Sequence, residues 1–96
     1  MSPKNKKTLE IIRKKLDQID NQLLEVIKKR TLLVNEVVKL KENKSEIVDQ
    51  KRISSILKNI KAKSIKNNID PKITNRIWKN MIWSYINYER RNFKKK

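Results

Sequence analysis

An arginine interrupts the apolar face of the first long helix that this sequence predicts. Between Leu9 and Leu40, apolar residues recur at alternating steps of three and four, and one of these steps lands on Arg30. Because a buried charge is costly unless it is paired or bound to a ligand, three interpretations stay open. Arg30 extends its guanidinium into water, or pairs with Glu89, or holds an anionic ligand with its bidentate fork.

Two more cations can be placed relative to Arg30. Lys41 follows it by close to three helical turns, so both side chains point to nearly the same side, about 16 Å apart along the axis. Two long side chains that lean toward each other could close around a small anion. Arg13 points roughly 100° away from Arg30, so it could reach such a pocket only from a second copy of the chain.

We expect helices to position these side chains, because the composition disfavours β-strands. The 96-residue chain has no Gly, which strands joined by tight turns usually need. We therefore predict an all-α fold in a single domain, residues 1–96, with basic ends at 1–7 and 94–96 that fray. The absence of Cys and His excludes thiolate chemistry and removes the commonest general base.

Apolar spacing and capping residues predict three helices. The first spans about residues 8–43, which at ~1.5 Å per residue makes it roughly 50 Å long. Asp49 is placed to cap the second helix, and Asp70 and Pro71 form the N-cap and the first helical position of the third. Two short helices cannot cover the whole apolar face of the first, so we predict that a second copy of the chain covers it.

The third predicted helix carries an acidic residue on its apolar face. Trp78, Ile82, Tyr85 and Glu89 follow the spacing i, i+4, i+7 and i+11, so they share one side of the helix. Glu89 therefore resembles Arg30 in its position and differs from it in the sign of its charge.

The formal net charge of +16 predicts an anionic partner, and nucleic acid, an acidic membrane surface and a small polyanion all fit it. Trp78 and Tyr85 lie in a core-like stripe and are not interleaved with base-reading side chains, which argues against nucleic acid. The N-terminus lacks the apolar run of a signal peptide, and no apolar stretch approaches the ~20 residues that span a bilayer. We expect a cytoplasmic protein that does not enter membranes.

Four motifs occur in a specific order: IRKKLDQIDNQLLEVIKKR, then VVKLK, then DQKR, and finally IDPKITNRIWKNMIWSYINYE. Their order and spacing, from about Leu9 to Phe93, resemble the all-helical chorismate mutase family, which also contains isochorismate–pyruvate lyases. The resemblance implies an intertwined homodimer of three-helix chains that needs neither a cofactor nor a metal. It implies the rearrangement of chorismate, a small dianion, to prephenate in aromatic amino acid biosynthesis.

The resemblance also implies the roles of the three cations. Arg13 matches an arginine that reaches in from the partner chain, and Arg30 matches one that binds a substrate carboxylate. Lys41 matches the lysine that contacts the ether oxygen and a carboxylate. The rearrangement is pericyclic and needs a compactly held substrate and positive charge near the ether oxygen, so it suits a chain without His or Cys.

Further matches lie on the second and third helices. Asp49 and Arg52 match a short DxxR motif, and Tyr85 stands where some mutases have Ser. Glu89 stands where many members have Gln and some have Glu, and it must be protonated to donate a hydrogen bond to the ether oxygen. The mutases commonly have Glu at the position of Ile53, whereas the lyase branch has an apolar residue.

Two alternatives to a chorismate mutase therefore stay open at this point. The departure at Ile53 favours an isochorismate–pyruvate lyase on the same fold. The high positive charge favours, in a different class of protein, a basic helical dimer that binds nucleic acid.

Overall fold

The fold is all-helical, as predicted. The computed structural model describes residues 1–95, so residue 96 of the predicted basic end lies outside the described residues. The elements are α1 (Pro3–Leu40), a short 3₁₀ turn (Lys44–Glu46), α2 (Gln50–Lys66) and α3 (Pro71–Asn92). No strand occurs among the described residues. The prediction of three helices with a very long first helix is confirmed.

Helix α1 begins five residues earlier than the apolar pattern predicted. Ser2 caps it, because its Oγ accepts the amide proton of Asn5 at 3.2 Å and its carbonyl accepts that of Lys6 at 2.9 Å. Pro3 occupies the first helical position, where its missing N–H has no cost. Thr8 lies inside the helix and donates its hydroxyl proton to the carbonyl of Lys4. Helix α3 begins in the same way, with a side-chain cap at Asp70 followed by Pro71 at the first helical position.

Helix α1 also ends earlier than predicted, at Leu40 instead of about residue 43. The carboxylate of Glu46 accepts the amide protons of Glu42 at 2.7 Å and Asn43 at 2.8 Å. In a continuing helix those amides would donate to carbonyls four residues earlier. Glu46 therefore offers the backbone an alternative that stops the helix and forms the 3₁₀ turn.

Local capping bonds define the boundaries of α2 and α3. Asp49 caps α2 by accepting the amide proton of Arg52 at 3.0 Å, and Asp70 caps α3 by accepting that of Lys72 at 2.9 Å. Between the two helices, Asn68 adopts the left-handed conformation at φ 58°. Asn is one of the few residues other than Gly that tolerates this conformation, and the resulting Schellman-type end reverses a chain that has no Gly.

The described chain divides into two compact units, Met1–Leu33 and Val34–Lys96, the second described as far as residue 95. The apolar core lies in the second unit. We call it the core cluster: buried Ile47, Ile82 and Ile86, with Val48, Ile53, Ile56, Leu57 and Phe93 packed against them. The hydroxyls of Ser64 and Thr74 are hydrogen-bonded at 2.7 Å and link α2 to α3 at the other end of that pair.

The first unit consists of α1 residues and the two residues before them, and it has no apolar core of its own. Every Leu, Ile and Val from Ile11 to Leu33 is exposed in the single chain, including Leu16 at 53% and Leu23 at 53%. Burial of one such side chain is worth roughly 1.5–3 kcal/mol. The unit therefore presents a long apolar surface that the chain itself leaves open to solvent.

Candidate active site

The centre of the candidate site is an ion pair between the end of α1 and the last turns of α3. The Nζ of Lys41 donates to the Oε1 of Glu89 at 3.0 Å. The lysine side chain is 18% exposed and the glutamate side chain 9%. Lys41 is the first residue after α1, so its side chain leaves the helix where the backbone turns away. Glu89 lies on the inward side of α3, in register with buried Ile82 and Ile86.

Burial makes this pair sensitive to its surroundings. Two charges removed from water are stable only if each satisfies the other, and the loss of one partner leaves an uncompensated charge. No buried side-chain nitrogen or oxygen among the described residues lacks a hydrogen-bond partner. A ligand that reaches this place would meet one strong donor and one carboxyl group within a single hydrogen-bond distance of each other.

A second polar contact joins the same two segments, and the sequence did not reveal it. The hydroxyl of Tyr88 donates to the Oδ1 of Asn35 at 2.7 Å in a partly buried position. The ring of Tyr88 meets that of Tyr85 edge to face, with centroids 6.3 Å apart. Only positional signals could have suggested the bond: Asn35 lies six residues before Lys41, and Tyr88 directly precedes Glu89.

Asp49, Arg52 and Ile53 lie at the first turn of α2. One carboxylate oxygen of Asp49 already accepts the amide proton of Arg52, so this aspartate has a structural role as the cap. Arg52 is exposed, and its guanidinium can therefore meet a ligand. Ile53 is half-buried and belongs to the core cluster, so its side chain contributes to the apolar interior. It offers no carboxylate to a ligand.

Arg13 and Arg30 both lie on α1 within the first unit. Seventeen residues of helix separate them by about 25 Å, so one chain does not bring them together. Arg13 is exposed and Arg30 is half-buried. The contribution of Arg13 to a pocket of a partner chain stays a prediction.

Two negative findings concern other kinds of site. Among the described residues, no three acidic side chains come together in a group that could hold a metal ion. No helix in the described part of the chain combines the length and the apolar character needed to cross a membrane.

The fold and the candidate site define an all-helical protein that places a cation against a carboxyl group between two helices. Residues 12–90 match the family model described as chorismate mutase type II, so the chain belongs to that family. A search of curated proteins found no match, and neither did a search of solved structures.

Proposed function

We propose that the protein is a chorismate mutase, which rearranges chorismate to prephenate. The observation that carries the proposal is the Lys41–Glu89 pair at 3.0 Å, in a chain that belongs to the chorismate mutase type II family. In the reaction one C–O bond breaks and one C–C bond forms within a single molecule, with no net proton transfer. The protein therefore needs to supply only conformational restraint and electrostatic stabilisation.

The pair supplies groups for the ether oxygen, where negative charge grows as the C–O bond breaks. The ammonium of Lys41 donates a hydrogen bond and carries positive charge, so it binds the transition state more strongly than the ground state. In the free protein the carboxylate of Glu89 accepts from Lys41. When the ether oxygen takes its place beside both groups, Glu89 contributes only if it is protonated, since only then can it donate.

Further cations are proposed to hold the two carboxylates of the substrate. Arg30 and Arg52 supply guanidinium groups from the same chain, and the third is Arg13 of a partner chain. A guanidinium binds a carboxylate through two parallel hydrogen bonds, so it fixes orientation as well as position. Restraint of a flexible substrate in a compact, reactive geometry contributes a large share of the acceleration in a unimolecular rearrangement.

The proposal includes a homodimer. The apolar side chains of the first unit are exposed over about six helical turns, a surface that soluble monomers rarely present. A second copy offers the same surface, and in a two-fold assembly each copy covers the other. In the proposed dimer, Arg13 of one copy would bind substrate in the pocket of the other copy.

An isochorismate–pyruvate lyase is the second candidate, and Ile53 favours it. The hydroxyl of isochorismate differs in position from that of chorismate, and Ile53 offers it no carboxylate. We nevertheless expect the larger kcat/KM on chorismate, because prephenate formation is a general biosynthetic need and a basic pocket suffices for it. The measurement is loss of each substrate in side-by-side ultraviolet assays with identification of the product. A larger value on isochorismate, with release of salicylate, would assign the protein to the lyases. Inactivity on both, with tight binding to oligonucleotides, would favour the nucleic-acid alternative.

Glu89→Gln tests the role of the carboxyl group. Gln is a neutral donor of nearly the same shape, and its side-chain oxygen can still accept from Lys41. Ionised Glu89 repels the charge that develops on the ether oxygen, whereas Gln in its place is a neutral donor. The variant should therefore have at least wild-type kcat/KM near neutral pH. The measurement is kcat/KM on chorismate for both proteins under the same conditions. A value for the variant far below wild type would contradict the role proposed for this position.

A further inference from the structure

Two polar contacts connect the end of α1 to the last turns of α3. Asn35 bonds to Tyr88, and Lys41 bonds to Glu89. Val38, which is 8% exposed, lies between Asn35 and Lys41 in the sequence, three residues from each. The core cluster draws its described members from residues 47–93, so α1 contributes none of them.

A bound substrate would compete for one of these two contacts and leave the other intact. An ether oxygen that binds beside Lys41 and Glu89 competes for the hydrogen bond that these residues share in the free protein. The register of the end of α1 against α3 must then be held by another contact. The Asn35–Tyr88 bond is suited to this task, because both of its groups are neutral and neither belongs to the proposed site.

We propose that the Asn35–Tyr88 hydrogen bond is a positioning contact that keeps Lys41 opposite Glu89 while both groups engage the substrate. The inference rests on the proposed function. Tyr88 directly precedes Glu89, and Asn35 precedes Lys41 by less than two helical turns, so any slip of one segment along the other moves the ammonium relative to the carboxyl group. A misplacement of about 1 Å at a reacting centre can cost on the order of 10²-fold in rate.

Tyr88→Phe tests the positioning contact, because it removes the hydroxyl and keeps the ring that meets Tyr85. We expect kcat to fall about tenfold or more, with KM within about twofold of wild type. Thr74→Val is the matched control, since it also removes a hydroxyl hydrogen bond, and Thr74 lies fourteen residues, or about 21 Å, from Tyr88 along α3. The control should lower the melting temperature and leave kcat unchanged. Equal kcat losses in the two variants, or none in Tyr88→Phe, would overturn the inference.

Two further measurements separate positioning from general destabilisation. Asn35→Asp keeps an acceptor for the Tyr88 hydroxyl and should retain most of the activity that Asn35→Leu loses. In a Lys41→Met background, Tyr88→Phe should change the residual rate by less than about twofold, because the group that it positions is already gone. A full additional tenfold loss in that background would show that Tyr88 does not act through Lys41.

Hydrogen exchange measured without substrate distinguishes a failure of this inference from a failure of the proposed function. Tyr88→Phe should accelerate exchange of the amides at the end of α1, residues 38–41, by about tenfold or more, whereas Thr74→Val should not. If wild-type protein converts neither chorismate nor isochorismate but the exchange effect is present, the proposed function fails and the positioning contact stands. If the enzyme is active and exchange at 38–41 is unchanged, the positioning contact fails and the function stands.

Discussion

Arg30→Met should retain the helical structure and lose on the order of 10³-fold in kcat/KM, equivalent to about 4 kcal/mol of transition-state stabilisation. Met has a similar length and a good helix propensity, so the half-buried stem at this position keeps its packing. What should disappear is the proposed bidentate binding of a substrate carboxylate, which leaves that charge without its partner. The measurement is steady-state kinetics on chorismate, with circular dichroism and thermal unfolding to establish the fold.

Two comparisons sharpen this prediction. Arg30→Lys keeps the charge but loses the fork, so it should recover only part of the activity. Lys28→Met, at an exposed position two residues earlier, removes a charge of the same sign from the same helix and should leave kcat/KM within about twofold. A fully active Arg30→Met protein would contradict the proposed role of Arg30 in binding substrate.

Mixed dimers should recover activity from two inactive variants. Arg13→Ala and Arg30→Ala should each be nearly inactive, because every pocket in either homodimer lacks one guanidinium. In a heterodimer, one pocket combines an intact Arg30 with an intact Arg13 from the other chain. Random mixing makes about half of the molecules heterodimers, so about a quarter of wild-type activity should return. The subunits are mixed in mild denaturant, refolded together and assayed.

The control for this experiment is the same procedure applied to each variant alone, which should return no activity. Light scattering should give about twice the chain mass of 11.6 kDa for the wild type and for both variants. No recovery on mixing, with subunit exchange verified by a mass tag, would contradict a shared site. A fully active monomer would contradict the homodimer itself.

Local signals in the sequence predicted the helices well where a cap was recognised, and less well where it was not. The caps at Asp49 and Asp70 were predicted and are present. The apolar period starts at Leu9 and therefore predicts a beginning near Thr8, whereas the Ser2 cap begins α1 at Pro3. The apolar spacing predicts an end near residue 43, which is too late, because Glu46 competes for backbone amides up to four residues away and apolar spacing does not reveal such a bond.

The sequence likewise predicted some parts of the candidate site and not others. The polar positions on apolar faces identified Arg30 and Glu89 from the sequence, and helical spacing placed Lys41 on nearly the same side as Arg30. The direct bond between Lys41 and Glu89, and the one between Asn35 and Tyr88, join residues 48 and 53 positions apart. Neither bond follows from a periodic pattern. The roles proposed for Arg13, Arg30, Asp49, Arg52 and Tyr85 in binding substrate stay predictions.

The sequence by itself determined the all-helical class, the number of helices and most caps, because these depend on interactions within one or two turns of the chain. The tertiary structure alone decided which side chain meets Glu89 and which contact holds the end of α1 against α3. Those outcomes require the chain to reverse at Asn68 and to bury the core cluster, which together set the register of α3. Register arises from the sum of many packing contacts across the fold, so the residues at either end of a long-range bond do not encode it.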